Sequence, residues 1–215
     1  MPTIVDLVAP ALPKENTHTT LVLIQNGLNI EKPVMQKYTK TPVLSGVSLI
    51  GSEETSPGTI VQDDKDRLLI GAFHNPNVKA EIAEQKAREF VNIYGAGGKT
   101  DVKFSPDVSY DRWRKLVYNA CLNPICAITG LDTGRIRLAD GAVEGLVRPA
   151  MREIVEAARA NGVVLQEDVV QGMIDVDPLE LYLSPSMLAD VRKVCYLFLA
   201  LCSRLCPLLI TPRPP

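Results

Sequence analysis

Arg112–Ile128 reads RWRKLVYNACLNPICAI, and the chain changes character around it. From Tyr110 onward only helical spacing of apolar residues is found. Tyr110–Ile128 is predicted as one helix. Val143–Asn161 is a second, with Val143, Val147, Ala150, Ile154 and Ala158 on one stripe and Gly162 as its stop. Gln166–Asp175 is a third. Ser184-Pro185 opens a fourth, with serine as N-cap and proline at the first helical position.

Working back from that segment, the pattern alternates strand and helix. Thr19–Ile24 (TTLVLI) is a short β-branched apolar run that Gln25-Asn26-Gly27 ends abruptly. Runs of this kind suit strands covered on both faces, as in a parallel sheet. Ile30–Tyr38 is a short helix that tolerates Pro33 in its first turn, and Val43–Ile50 is the next strand. Thr59–Gln62 and Leu68–Gly71 flank a charged loop and are expected to form a hairpin. Val78–Tyr94 has helical spacing and stops at Gly95–Gly98, and Thr100–Phe104 is a last strand. The fold class is therefore α/β followed by all-α. The domain reading is a partial nucleotide-binding-type domain over 1–107, a helical domain over 108–193 and an unrelated tail over 194–215.

Composition narrows the functions. The 215 residues carry 23 Lys plus Arg against 25 Asp plus Glu, so no nucleic-acid or acidic-membrane partner is indicated. Two histidines, His18 and His74, argue against a multi-histidine metal site or a histidine-based triad, and no metal is expected. Five cysteines at uneven spacing do not form a secreted disulfide framework, and Cys121 and Cys126 read as buried thiols. No basic stretch precedes the first apolar run, and no apolar run reaches the roughly 20 residues of a membrane span. These features predict a cytoplasmic protein. No G-x-G-x-x-G occurs, and Gly95-Ala96-Gly97-Gly98 follows a helix where a phosphate loop would follow a strand.

Three places could carry chemistry. Lys115, Asn119 and Asn123 are spaced i, i+4, i+8 and would share one face of the predicted helix. That stripe either faces water or lines a pocket, with a lysine to donate a proton and two amides to orient an oxygen-rich ligand. Ser186 lies in the first turn of its helix, either as an ordinary exposed serine or as a carboxylate ligand beside free N–H groups. Asn26 follows a strand, where open α/β sheets bind ligands, or serves only a tight turn. Asp63, Asp64 and Asp66 read as a solvated charged turn.

With these segments in hand, the chain resembles the ketopantoate reductase family, in particular its fungal-type members. The resemblance rests on IQNGLNIE (Ile24–Glu31), LSGVSLIGSEETSPGTI (Leu44–Ile60), DRLLIG (Asp66–Gly71), WRKLVYNACLNPICAITG (Trp113–Gly130), LVRPAMREI (Leu146–Ile154) and PSMLADVRK (Pro185–Lys193). It implies a Rossmann-type domain followed by a helical domain like that of 6-phosphogluconate dehydrogenases. It also implies NADPH-dependent reduction of a 2-keto acid, namely 2-dehydropantoate to pantoate in pantothenate biosynthesis. Lys115 would be the general acid. Asn119, Asn123 and Ser186 would bind substrate, and Asn26 would stand beside the nicotinamide ribose. A homodimer is a further expectation.

Two departures accompany the match. The Gly-rich front of the family is not found before Pro2. The position of a substrate-binding glutamate about three turns after Ser186 holds Phe198, in a tail that carries three of the five cysteines and no acidic residue. Translated intron is one hypothesis for the tail, since a common fungal intron start read in frame encodes Val-Cys, as at Val194-Cys195; transcript sequencing tests this. The alternative reading is a non-catalytic paralogue serving as a binding or dimerisation module.

Overall fold

A computed structural model describes residues 4–12, 19–62 and 64–193. The tail from Val194, Asp63 and His18 lie outside the described residues. The chain divides into two compact units, one up to Lys115 and one from Leu116 onward. The first is a mixed-sheet, Rossmann-like α/β unit and the second is helical.

The sheet of the first unit has the order β1-β2-β5-β6, with β1 at Leu21–Leu23, β2 at Val43–Leu49, β5 at Asp66–Ala72 and β6 at Thr100–Phe104. β1 runs parallel to β2 and β5 parallel to β6, but β2 and β5 are antiparallel. β2 is covered on both faces. Val43 packs with Val5, Leu23, Val34 and Tyr38, whereas its neighbour Leu44 packs with Leu68, Ile70 and Ala87. Successive side chains point to opposite faces, so a strand buried on both must be apolar at both parities. Helices α1 (Ile4–Val8) and α2 (Lys32–Lys37) supply the first cluster, and α3 (Ala80–Gly95) supplies Ala87 to the second.

The hairpin differs from expectation. Thr59–Gln62 (β4) pairs with Ser52–Ser56 (β3) about Pro57-Gly58, where Gly58 takes a φ of 80°. It does not pair with Leu68–Gly71, which belong to β5 and match β2 from Leu44↔Ala72 to Leu49↔Arg67. Burial decides between the two pairings: Leu68 and Ile70 are core residues, whereas every residue of β3 and β4 is exposed.

The Tyr110–Ile128 segment is two helices, α4 (Val108–Asn119) and α5 (Leu122–Thr129). Pro124 has no N–H to give the Ala120 carbonyl, so the ladder breaks and resumes with proline in the first turn of α5. Gly130 ends α5 at a φ of 72°, a left-handed cap. In the second unit, α6 covers Thr133–Leu138, capped by the Asp132 side chain accepting from the Arg135 N–H. Val143–Val147 is a π turn leading into α7 (Arg148–Ala160). Here Pro149 cannot donate to the Gly145 carbonyl, and the Arg148 N–H reaches back five residues to Val143. Val147, on the apolar stripe, is only 1% exposed. α8 covers Val169–Ile174, shorter than expected, and residues 186–193 are helical. Ser184 is not their cap: its hydroxyl accepts from Arg192, which also donates to the Gly130 carbonyl.

Candidate functional site

In the first unit the site is built where α4 starts. Asp107 caps that helix by accepting the Tyr110 N–H at 3.0 Å, and the Ser105 hydroxyl donates to Asp111 at 2.6 Å. Gly71 on β5 lets the segment approach; a Cβ there would lie 2.5 Å from the Ser105 carbonyl oxygen and 2.8 Å from Val108 Cβ. α4 then carries Arg112 and, one turn later, Lys115.

The Lys115 ammonium donates to Asn26 Oδ1 at 2.8 Å and to the Ser48 carbonyl at the end of β2. Asn26 is exposed in the turn after β1, where Gly27 adopts a φ of 115° and Asn29 one of 58°. Burial pushes the Lys115 ammonium below the usual lysine range, and the positive charge of Arg112 adds to the effect. An ammonium offers three hydrogens. Among the described residues two are engaged, which leaves one for a ligand oxygen.

Arg112, Ser45 and Glu31 were not singled out from the sequence. Arg112 is 6% exposed and Glu31 fully buried, with their charged ends 3.0 Å apart. Arg112 Nε donates to Ser45 Oγ at 2.6 Å, and Ser45 donates to Glu31 Oε1 at 2.6 Å. Nη1 donates to the carbonyls of Gln25 and Gly27, and Nη2 to those of Leu23 and Gly46. Burial lowers the Arg112 pKa, and Glu31 opposes that shift. Glu31 and Ser45 do lie inside the two quoted blocks that follow β1 and open β2. Nothing in the spacing ties them to an arginine some 70–80 residues away.

The second unit holds the other candidates. Asn123 is buried in the first turn of α5, and its amide donates to Ser186 Oγ at 3.4 Å. Ser186 is exposed at the start of the helical stretch 186–193. These two residues, 63 apart in sequence, are brought together. Asn119 is half-buried at the end of α4, on the far side of the helix break from Asn123, so the three-residue stripe expected on one face is split. Tyr118 donates to Asp177 at 2.7 Å, and Arg137 donates to the Asp177 carbonyl. Burial, reinforced by the Asp177 charge, pushes the Tyr118 hydroxyl well above the usual tyrosine range, so it stays a donor.

Among the described residues no cluster of three or more His, Cys, Asp or Glu side chains could hold a metal, and no helix is long and apolar enough to cross a membrane.

Residues 3–75 match the ketopantoate reductase PanE/ApbA family model, and residues 107–195 match the model of the same family's C-terminal domain. The chain belongs to the ketopantoate reductase family. An uncharacterized protein of Saccharomyces cerevisiae is 36% identical over 190 residues, covering 84% of this chain and 51% of that protein. The crystal structure of 2-dehydropantoate 2-reductase from Methylococcus capsulatus is 31% identical with a TM-score of 0.70, covering 89% of this chain and 58% of that one. D-mandelate dehydrogenase in a ternary structure with NADH and anilino(oxo)acetate shares the fold at a TM-score of 0.71 and 17% identity, over 83% of this chain and 56% of that one. The chain spans about half the length of the curated relatives it matches.

Proposed function

We propose that the chain serves a cytoplasmic reductase that uses NADPH to convert a 2-keto acid, 2-dehydropantoate, to its 2-hydroxy acid in pantothenate biosynthesis. The observation that carries this reading is Lys115, half-buried with its pKa lowered and one hydrogen left for a ligand oxygen. Family membership supports the chemistry, and the shared fold of a dehydrogenase that binds NADH supports a nicotinamide nucleotide.

Bound NADPH would supply the hydride. The Lys115 ammonium would stabilise the negative charge that reduction places on the substrate's carbonyl oxygen and would give that oxygen its proton, leaving the hydroxyl. Asn26 and the Ser48 carbonyl orient Nζ, and the lowered pKa makes the proton easier to give. In this reading Asn119, Asn123 and Ser186 bind the substrate's polar groups, and a homodimer is the working assembly. Asn26 also fits the ribose end of the nucleotide. Its Oδ1 faces Lys115, while its amide stands on an exposed turn after a strand and can donate.

The purified chain should quench NADPH fluorescence saturably and oxidise NADPH in the presence of 2-dehydropantoate. Lys115→Ala should cut turnover about 10²–10⁴-fold with little change in NADPH affinity. Asn123→Ala and Ser186→Ala should raise KM more than they lower kcat. Equal turnover in Lys115→Ala would end the assignment. The second reading is a non-catalytic binding or dimerisation module. A homodimer that binds no NADPH would support it.

A further inference from the structure

We propose that Arg112 is a positioning residue, whose guanidinium grips the backbone on both sides of Asn26 and so sets the Asn26 side chain against Lys115. The inference rests on the reading of Lys115 as proton donor.

A guanidinium has five N–H donors in a planar fork. At Arg112 all three nitrogens are used. Nη1 alone holds the carbonyls of Gln25 and Gly27, at 2.9 and 2.8 Å. Those two residues bracket Asn26, so one nitrogen fixes both ends of the peptide segment that carries it. Nη2 ties the same group to Leu23 in β1 and Gly46 in β2, each at 3.2 Å. Nε ties it to Ser45. The turn would otherwise be a poor platform: Gln25, Asn26 and Gly27 are exposed, and Gly27 and Asn29 lie in the left-handed region. The fork anchors this exposed turn to two strands and to Glu31 at the head of α2.

The same helix delivers both partners. Arg112 and Lys115 are three residues apart on α4, so the element that grips the turn also presents the ammonium that Asn26 receives. Glu31 balances the buried guanidinium. Among the described residues, the charged group acting on Lys115 is Arg112; Asn26 and Ser48 present neutral oxygens. Lysine at position 112 would keep the charge but has three donors on a point-like head, too few for this set of carbonyls.

The test reads Lys115 directly and needs no turnover. Acylation of Lys115 by trace acetic anhydride in the full chain is followed by mass spectrometry against pH, with the other lysines as internal references. R112K and N26A should each speed Lys115 labelling at neutral pH about 3–10-fold and move its inflection to lower pH, because the ammonium loses an acceptor that favours it. The R112K/N26A double variant should show no further change, since both act through one contact. Unchanged labelling in folded R112K, or an R112K effect of full size on top of N26A, would overturn the proposal. If R112K does not fold, hydrogen-bond scalar couplings from the Arg112 Nη nitrogens decide in the unmodified chain. Couplings to the Gln25 and Gly27 carbonyl carbons support the grip, and fast-exchanging Nη hydrogens without coupling refute it. Failure to reduce a keto acid would sink the proposed reaction and leave these labelling results standing.

Discussion

Arg112→Met removes the cation from a buried pair and tests what holds the first unit together. Six acceptors lose a donor, and they do not cost the same. Gln25 and Gly27 are exposed, so water can replace the guanidinium at their carbonyls. Leu23, Gly46, Ser45 and the Glu31 carboxylate are buried and have no such recourse. Glu31 is the expensive one: it is fully buried, and among the described residues its second oxygen already has no hydrogen-bond partner. Leaving one member of a buried ion pair uncompensated costs about 3–5 kcal/mol. With a urea m-value of about 1–3 kcal/mol/M, the unfolding midpoint should fall by roughly 2 M. Trp113, the chain's one tryptophan, follows Arg112 on α4, so its fluorescence reports unfolding of this unit. Glu31→Gln in the same chain removes the orphaned charge and should restore about 1–3 kcal/mol. A midpoint for Arg112→Met within about 0.5 M of the parent, or a double variant no more stable than the single one, would refute the reasoning.

Other outcomes follow from the same geometry. Keto-acid reduction should fall as pH rises through the Lys115 pKa, which burial holds below the usual lysine value, because the donating ammonium is lost there; a pH profile of kcat checks this. Burial raises the Cys121 and Cys126 thiols from 9.0 to about 11, so the folded state binds protons that the unfolded state has released. Each should contribute up to about 2–3 kcal/mol that is present below pH 9 and lost as pH rises towards 11. Urea midpoints near pH 8 and pH 10.5 should drop less for a Cys121→Ala/Cys126→Ala chain than for the parent. Gly71→Ala would drive a methyl against the Ser105 carbonyl oxygen and Val108 Cβ, costing about 1–3 kcal/mol by the Trp113 assay.

The order of elements was readable because apolar runs and their stops mark strands and helices in turn: β2 opens with adjacent Val43 and Leu44, which serve opposite faces of the sheet. What failed were choices between local alternatives. Leu68–Gly71 could pair with the run just before it or with β2, and only tertiary burial selects β2. Pro124 lies within the segment expected to be one helix, and whether a helix bends or restarts at a proline depends on what packs around it. Lys115 and Asn26 were both singled out, though nothing local announced that they would meet across 89 positions of sequence. The Arg112–Ser45–Glu31 network went unread for the same reason: isolated polar residues acquire meaning only when the fold brings them together.

The β3–β4 hairpin has a practical consequence. It forms its own two-stranded sheet, all of its residues face outward, and the four-stranded sheet closes directly through β2 and β5 without it. A chain cut at Pro57-Gly58 would therefore give two pieces that each carry whole strands of the sheet and find each other through the six-residue β2–β5 ladder. The tip of the hairpin is thus a seam in the polypeptide, suited to split-protein complementation or to the insertion of a reporter.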